Sequence, residues 1–481
     1  MYNSTIQQAR QNYENGTWDP KTVAEDFMTR IQEVEPKIGS YISLQMDTAV
    51  SQAEDIDTTR SPIAGSFVSI KDLICTKDTE TTAASKMLRD FIPFYDATVV
   101  EKLKEAGVIS LGKTNLDEFA MGGSCENSAL QKTRNPWNTN CVPGGSSGGS
   151  AASVAAGECH FSLGTDTGGS VRQPASFCGI VGFKPSYGRV SRYGVIPMAN
   201  SLDQVGICAK TSYDTALVLQ QIAGYDDKDS TSMNIAVPHY SEELQKGVSG
   251  LKVGVPEEFF AEGLDPGVRE KVEAAIEDMK SLGMEVKPVN LKLTKYALPA
   301  YYIIMAAEAS TNLSRYDGIR FGETAADPKD LEDLYQSTRG ENFGDEVKRR
   351  IMLGSFALSS GFYDAYYAKA QKVRTLIKQE FEEVFKEVDV IIGPTAPTVA
   401  YEFGAKKDPL SMYLGDTYTI PVNLAGLPAV STPCGFVDGM PVGLQIIGQS
   451  FQDDIVLRVS HAYEMLSDFV ELRAEISPIQ A

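Results

Sequence analysis

The sequence predicts an α/β fold, and two observations carry this prediction. The first is that segments with helical periodicity are repeatedly followed by short apolar segments. A helix that leads into a buried strand is half of a βαβ unit. The second is that the chain has 481 residues, of which 42% are hydrophobic. A chain of that size can bury a substantial core without disulfides or metals, in one very large domain or in two to three ordinary ones.

The N-terminal segment, residues 1–60, is predicted to be helical. Val23, Phe27 and Ile31 recur at every fourth position, after a capping residue, Asp19, and a proline at the first helical position. This pattern is typical of an amphipathic helix with a defined start. We expect residues 1–60 to form a helical segment that packs on a core formed by residues 61–481.

Strands and helices alternate through the rest of the chain. Residues 295–385 are mostly helical, and we expect them to form a cap beside the sheet. No repeat or low-complexity tract divides the chain, so we expect a single large domain overall. The predicted strands are 62–72, 108–111, 161–163, 253–255, 284–289, 389–392, 429–432 and 443–447, and the main predicted helices are 22–34, 99–106, 151–156, 266–282 and 362–386.

Composition excludes several classes of function. Acidic residues outnumber basic ones, 64 to 44, for a formal charge of −20, whereas phosphate binding requires a basic surface. Seven cysteines without a Cys-x-x-Cys pair indicate reduced thiols in the cytoplasm, not a disulfide framework or a zinc site. The polar segment from Met1 to Asn15 and the absence of a long apolar run predict no signal peptide and no membrane contact.

Two Gly/Ser-rich segments are the most unusual local feature. One is Gly-Gly-Ser-Ser-Gly-Gly-Ser at 144–150, and the other is Gly-Thr-Asp-Thr-Gly-Gly-Ser-Val-Arg-Gln-Pro at 164–174. A phosphate-binding loop would need a lysine after its last glycine, and none is present. Simple tight turns would explain one such cluster, but two clusters in which a Gly-Gly pair is followed by serine favour covalent catalysis.

A lysine can serve as the base for such a serine. The chain has only three histidines, and a serine hydroxyl needs a neighbour that accepts its proton. Lys71 follows the apolar segment Phe67–Ile70, where burial would lower the pKa of its amine. The turn Thr167-Gly168-Gly169 could point backbone N–H groups at a developing oxyanion, each worth roughly 3–4 kcal/mol.

The run from Gly144 to Pro174 resembles the amidase signature family, and the positions of Lys71, Ser146 and Ser170 along the chain also fit its spacing. The resemblance implies a Ser-cisSer-Lys triad in which Ser170 is the nucleophile, Ser146 relays the proton and Lys71 is the base. It also implies a cis peptide before Ser146 and a mixed, mostly parallel sheet surrounded by helices. Asp166 and Arg172 flank the nucleophile, and we expect them to form an ion pair that structures its loop.

Further segments resemble one branch of that family, the A subunits of tRNA-dependent amidotransferases. There the resemblance implies that Arg349 holds the α-carboxylate of glutamine and Asp416 its α-amino group. It also places Ser124 and a tyrosine, Tyr301 or its neighbour Tyr302, at the pocket. The segments that carry this resemblance are 121–128, 133–138, 187–194, 316–322, 346–351 and 420–428.

This resemblance implies a glutaminase that works inside a larger assembly. Ser170 would form an acyl-enzyme with glutamine and release ammonia to a partner subunit. B and C subunits would complete a heterotrimer, and the partner would hold the misacylated tRNA, either Glu-tRNA(Gln) or Asp-tRNA(Asn), together with ATP and Mg²⁺. This chain itself is expected to bind no cofactor and no metal.

Some positions depart from the family pattern, and other functions compete. Gly123 and Cys125 stand where serine and threonine are expected, and residues 129–132 read Ala-Leu-Gln-Lys. A freestanding amidase of a small amide is the nearest alternative, but it would have no use for Arg349 and Asp416. A silent assembly subunit is disfavoured by the intact Lys71, Ser146 and Ser170, and a nucleotide-binding protein by the missing lysine.

Overall fold

A computed structural model describes residues 1–467, 469, 472 and 474–476. Within these residues one eleven-stranded sheet forms the centre of the molecule. The strands are β1 (Tyr41–Leu44), β2 (Phe67–Lys71), β3 (Ile109–Thr114), β4 (Phe161–Asp166), β5 (Val181–Lys184), β6 (Gln204–Ala209), β7 (Lys252–Pro256), β8 (Glu285–Val289), β9 (Val390–Pro394), β10 (Ala429–Val437) and β11 (Met440–Gly448).

Helices surround the sheet, so the predicted α/β class is confirmed. The α-helices in the described part of the chain are α1 (Ile6–Glu14), α2 (Pro20–Ile38), α3 (Met46–Glu54), α4 (Thr98–Glu105), α5 (Gly148–Ala155), α6 (Arg172–Cys178), α7 (Ser212–Ile222), α8 (Tyr240–Glu243), α9 (Pro266–Ser281), α10 (Ala297–Leu313), α11 (Leu331–Asn342), α12 (Asp345–Leu358), α13 (Lys369–Val384), α14 (Pro409–Tyr413), α15 (Ile420–Ala425) and α16 (Asp453–Glu464). Among the described residues, no helix combines the length and apolar character that crossing a membrane requires.

The sheet is mixed, as predicted, but the expectation that it is mostly parallel is wrong. The strand order is β1-β3-β2-β4-β6-β5-β10-β11-β9-β7-β8. Only four neighbouring pairs are parallel, β3–β2, β2–β4, β9–β7 and β7–β8, and the other six are antiparallel. Part of the difference is a hairpin between β10 and β11, where Asp438 and Gly439 both have positive φ. Such a turn reverses the chain without a crossover helix.

The N-terminal segment, residues 1–60, contains a strand as well as helices. Helix α2 begins as predicted, because the Asp19 side chain accepts a hydrogen bond from the Thr22 N–H and Pro20 follows at the first position. It ends at Gly39, whose left-handed φ of 67° makes the chain turn. The next residues form β1 at the edge of the sheet, paired antiparallel with β3, so the expectation that this segment is helical is only partly right.

The predicted cap region holds helices α10 to α13. Helices α10 and α12 pack so closely that a Cβ on Gly354 would overlap the backbone carbonyl of Ala306. The predicted helix 362–386 is shorter and irregular at its start, since a π-helical turn at Asp364–Ala368 precedes α13. Three aromatic residues, Phe362, Tyr363 and Tyr366, lie around that turn and remain half-exposed.

Candidate active site

Lys71 is the last residue of β2, a central strand of the sheet, and its side chain is fully buried. Its Nζ atom lies 2.8 Å from each of three hydroxyl oxygens, Ser146 Oγ, Ser147 Oγ and Thr165 Oγ1. Burial lowers the pKa of the amine to about 8, against the opposing effect of nearby acidic groups that include Cys125, Asp117 and Asp166. The amine can therefore exchange a proton near neutral pH.

Ser146 is held by its backbone on both sides. The Gly145–Ser146 peptide bond is cis, as the resemblance implies. The Gly145 N–H donates to Gln173 Oε1 at 3.0 Å, and the Ser146 carbonyl accepts from the Asp117 N–H at 3.2 Å. Its hydroxyl consequently faces Lys71 from a fixed backbone.

Ser170 lies in the connection between β4 and α6. It is 8% exposed, whereas Ser146 and Lys71 have no exposed surface, so it is the member of the trio that a substrate can reach. Its carbonyl accepts from the Ser147 N–H at 3.1 Å. The structure thus brings Lys71, Ser146 and Ser170, three residues distant in sequence, to one place.

The carboxylate of Asp166 organises the loop that carries Ser170. It accepts the N–H groups of Gly169, Val171 and Arg172 at 2.9, 3.2 and 3.4 Å. Arg172 also forks this carboxylate with two contacts of 3.0 Å, the ion pair expected from the sequence. Burial alone would raise the pKa of Asp166, but Arg172 more than offsets burial and holds that pKa below its usual value. The pair stays charged inside the core.

One of the predicted oxyanion donors is not available. The Gly169 N–H donates to Asp166, because the loop folds around that carboxylate. Within the described chain the N–H groups of Thr167, Gly168 and Ser170 have no acceptor. The Thr167 side chain points elsewhere and donates to Asp203 Oδ1 at 2.7 Å. The expectation that the Gly169 N–H points at the oxyanion is therefore wrong, and the N–H groups of Thr167, Gly168 and Ser170 are the available donors.

Two of the predicted substrate-binding residues border this loop. A Cβ on Gly168 would lie 2.7 Å from the Tyr301 hydroxyl, and a Cβ on Gly169 would lie 3.3 Å from Asp416 Oδ1. The neighbouring Tyr302 stacks instead on Tyr413, with ring centroids 3.9 Å apart. Tyr301 is therefore the tyrosine at the loop, an alternative that the sequence left open.

Asp416 sits beside a cavity. Burial, and then repulsion from Asp166, raise the pKa of Asp416 to about 8, while Arg350 and Arg172 act in the opposite direction. The flanking residues Gly415 and Thr417 line a cavity of about 360 Å³ that also reaches Gln173. A volume of this order accommodates a small-molecule ligand.

The arginine pair on α12 divides into an exposed and a buried member. Arg349 has a side chain that is 44% exposed and forms an ion pair with Glu346. Arg350 is buried; its Nε contacts the same carboxylate at 2.8 Å, and its guanidinium lies over the rings of Tyr302 and Tyr413. The predicted residue, Arg349, is thus the one whose side chain solvent or a ligand can reach.

Ser124 makes contacts in its own loop and with Tyr401. Its hydroxyl donates to Glu126 Oε2 at 2.8 Å and its N–H to Asp117 Oδ2 at 3.3 Å. Only its backbone lies against Gly145, where an added Cβ would be 2.7 Å from the Ser124 nitrogen. The Ser124 hydroxyl also interacts with Tyr401, which lines the cavity beside Asp416.

Several residues at the site were not predicted from the sequence. Ser147 and Thr165 contact Lys71 as closely as Ser146 does, and Asp117 holds the backbone around Ser146. Ser147 carried a signal, since it follows Ser146 in the glycine-rich run, but the position of Thr165 depends on the pairing of β4 with β2. Among the described residues no group of three His, Cys, Asp or Glu could hold a metal ion.

Comparison with known proteins decides the family. The sequence profile of the amidase family matches residues 22–457, most of the chain. The chain belongs to the amidase family. The resemblance deduced from residues 144–174 is thereby confirmed.

The branch is indicated by similar proteins that share one name, the A subunit of glutamyl-tRNA(Gln) amidotransferase. The protein of that name from Geobacillus kaustophilus is 56% identical over 93% of this chain and 94% of its own. The one from Thermoanaerobacter pseudethanolicus is 54% identical over 98% and 97%. The crystal structure of the one from Thermotoga maritima superposes with a TM-score of 0.85 at 42% identity, covering 99% of both chains.

Proposed function

We propose that this chain is the glutaminase subunit of a tRNA-dependent amidotransferase. The observation that carries the proposal is Lys71 Nζ at 2.8 Å from the Ser146 hydroxyl, beneath the loop of Ser170. The full-length similarity to amidotransferase A subunits supports glutamine as the amide. The established family and this geometry together favour cleavage of an amide through an acyl-serine.

The first half of the reaction forms the acyl-enzyme. Ser170 Oγ attacks the side-chain carboxamide carbon of glutamine while its proton passes to Ser146, which passes its own proton to neutral Lys71. The N–H groups of Thr167, Gly168 and Ser170 are the candidates to stabilise the oxyanion. Return of the proton to the leaving nitrogen releases ammonia and leaves a γ-glutamyl ester on Ser170.

The second half regenerates the enzyme. Water attacks the ester carbonyl, and the same Lys71–Ser146 relay takes its proton. Collapse of the tetrahedral intermediate breaks the bond to Ser170 Oγ and releases glutamate. Lys71 therefore acts as base and acid in turn, which suits an amine whose pKa is about 8.

The charged ends of glutamine select it over other amides. Asp416 borders the oxyanion loop, and the α-ammonium group would lower its pKa from about 8 and pair with the resulting carboxylate. Arg349 on α12 would hold the α-carboxylate. Tyr301 would form a wall of the glutamine pocket beside Gly168. The backbone of Ser124, which lies against Gly145, would contribute to the same pocket. A small or fatty amide without charged ends would gain nothing from Asp416 and Arg349.

The ammonia would be consumed by a partner. We propose a heterotrimer with B and C subunits in the cytoplasm, in which the partner binds misacylated tRNA, ATP and Mg²⁺ and converts Glu-tRNA(Gln), Asp-tRNA(Asn) or both. The net charge of −20 on this chain supports a division in which tRNA is held mainly by the partner.

The test uses the assembled complex with two nitrogen donors. Ser170→Ala should abolish glutamine-dependent amidation of tRNA and leave ammonia-dependent amidation intact. Ser176→Ala, which removes a buried serine further along in α6, is the matched control and should retain both activities. Loss of both activities in Ser170→Ala would overturn the assignment of separate sites, and retention of both would overturn Ser170 as nucleophile.

A further inference from the structure

Glu118 is a buried carboxylate that joins the catalytic core to the cap. It is 1% exposed. Its Oε1 accepts from the Ser85 hydroxyl at 2.5 Å, and its Oε2 accepts from the Gly344 N–H at 2.8 Å. Ser85 belongs to the segment after β2, whereas Gly344 is the residue that precedes α12. One side chain therefore ties together two regions that are far apart in the sequence.

The contact with Gly344 serves as the cap of α12. Gly344 occupies the N-cap position and has no side chain to satisfy the first N–H groups of the helix. Its φ of −69° is open to any residue, but a Cβ there would overlap Glu118 Oε2. The glycine is thus required by the approach of the carboxylate and not by the backbone conformation. An anion at this end of the helix is also favoured by the helix dipole.

The helix that Glu118 caps carries both arginines of the site. Arg349 and Arg350 lie in the second turn of α12, and Arg350 packs on the tyrosines that lead to Asp416. Movement of the first turn of α12 would therefore move Arg349, the residue proposed to hold the α-carboxylate.

The residue before Glu118 holds the other side of the site. The Asp117 N–H donates to the Ser146 carbonyl at 3.2 Å, and the Asp117 carboxylate accepts the N–H groups of Cys125 and Asn127 at 3.0 and 3.1 Å. Two consecutive acidic residues thus face opposite ways, Asp117 toward the relay serine and Glu118 toward the arginine helix.

We propose that Glu118 is a positioning residue for the binding of glutamine. By capping α12, Glu118 fixes Arg349 at the correct distance from Ser146 and Ser170. This inference rests on the proposed function, because it assumes that Arg349 binds the substrate carboxylate. Glu118 touches neither substrate nor reacting atoms, so its removal should weaken binding of glutamine and leave the chemical steps nearly unchanged.

A neutral side chain of the same shape should replace Glu118. Burial raises the pKa of Glu118 to about 7, against its two hydrogen bonds and the charges of Lys348 and Lys86. In Glu118→Gln the amide oxygen can accept from Gly344 while the amide NH₂ donates to the Ser85 hydroxyl.

The experiment measures glutamate release by the assembled complex as a function of glutamine concentration. Glu118→Ala should raise KM about fivefold or more, which corresponds to about 1 kcal/mol of binding free energy, with kcat within about twofold of the wild type. Glu118→Gln should return KM to near the wild-type value. This split between KM and kcat, together with the rescue, is not expected from a general loss of stability.

The matched control is Glu464, another buried glutamate whose carboxylate contacts the start of a different helix. Its carboxylate accepts from the Ser212 N–H at 3.0 Å and from the Ser212 hydroxyl at 2.6 Å, at the beginning of α7. Glu464→Ala should lower the melting temperature without changing KM. If Glu118→Ala changes KM no more than Glu464→Ala does, or lowers kcat as much as it raises KM, the proposal is wrong.

A second variant keeps the test decisive if Glu118→Ala does not fold. Gly344→Ala places a methyl group against the Glu118 carboxylate and should raise KM in the same way; an unchanged KM would overturn the proposal. Ser170→Ala, measured in parallel, separates the two hypotheses. If Ser170→Ala still releases glutamate, the proposed function fails; if it is inactive but Glu118→Ala keeps a normal KM, only the role of Glu118 fails.

Discussion

Lys71 is the residue expected to set the pH dependence of kcat in the proposed reaction. Only its neutral form can accept a proton, and its pKa of about 8 lies between the normal value and neutrality because burial and the surrounding acidic groups oppose each other. Below pH 8, kcat for glutamine should therefore fall about tenfold per pH unit, and above pH 8 it should level off. Measurements of kcat from pH 6 to 9.5 test this expectation. Ammonia-dependent amidation is the control for pH effects in the partner, and a flat profile between pH 6 and 8 would contradict a lysine base.

The two arginines of α12 should respond differently to removal. Arg349→Ala should raise KM for glutamine about 10- to 100-fold, the value of a charge-assisted contact, with little loss of stability because Arg349 is half-exposed. Arg350→Ala leaves buried Glu346 without its closest buried cation and should cost about 3 kcal/mol or more of unfolding free energy. Thermal unfolding and glutamine titration of both variants distinguish these effects. A normal KM in Arg349→Ala would move the carboxylate site to another residue.

At the residue scale the meeting of Lys71, Ser146 and Ser170 could be predicted from sequence, but their surroundings could not. Lys71, Ser146 and Ser170 stand in long motifs whose spacing is recognisable. Thr165 contacts Lys71 only because β4 lies beside β2. The Gly169 N–H cannot donate to the oxyanion because the loop wraps around Asp166, which accepts that N–H. Such facts depend on tertiary pairing, which local patterns do not encode.

At the scale of elements, two glycines in neighbouring helices should behave in opposite ways. Gly354 in α12 contacts α10 so closely that an added Cβ would overlap the Ala306 carbonyl, whereas nothing lies within 4 Å of a Cβ on Gly340 in α11. Gly354→Ala should force the helices apart and cost about 1–3 kcal/mol. Gly340→Ala should stabilise the protein by about 0.5–1 kcal/mol, because glycine is unfavourable inside a helix. Denaturant unfolding of the two variants tests this, and equal effects would show that the α10–α12 contact is not tight.

Among the helices and strands, some of the predictions agree with the structure and others do not. Capped helices such as α2 and apolar strands such as β2 and β4 lie close to where periodicity predicts them. The mostly parallel sheet that the family resemblance implies does not match the strand directions, since six of the ten neighbouring pairs are antiparallel. The Asp438–Gly439 dipeptide carries the opposite signal, a tight hairpin turn, and β1 is too short to stand out between α2 and α3.

At the scale of the whole molecule, the site forms where three distant parts of the chain meet. The end of β2 supplies the base, the glycine-rich loops around β4 supply the serines, and residues from α10, α12 and the turn at Asp416 close the other side. The first two parts belong to the central sheet, and α10 and α12 belong to the cap. In the proposed function the chemical groups therefore lie in the central sheet and its loops, while the choice of substrate would depend on how the cap lies against them.

The net charge of the whole chain predicts how strongly the isolated protein binds tRNA. With 64 acidic and 44 basic residues, the isolated protein repels a polyanion at long range. We expect the isolated chain to bind tRNA more weakly than about 100 μM at physiological salt, the weak limit of non-specific nucleic-acid binding. Filter binding with the isolated chain and with the assembled complex compares the two, and only the complex should bind tightly and lose affinity as salt rises. Tight, salt-sensitive binding by the isolated chain would mean that a local basic surface overrides its net charge, and the division of labour proposed above would then have to place part of the tRNA on this chain.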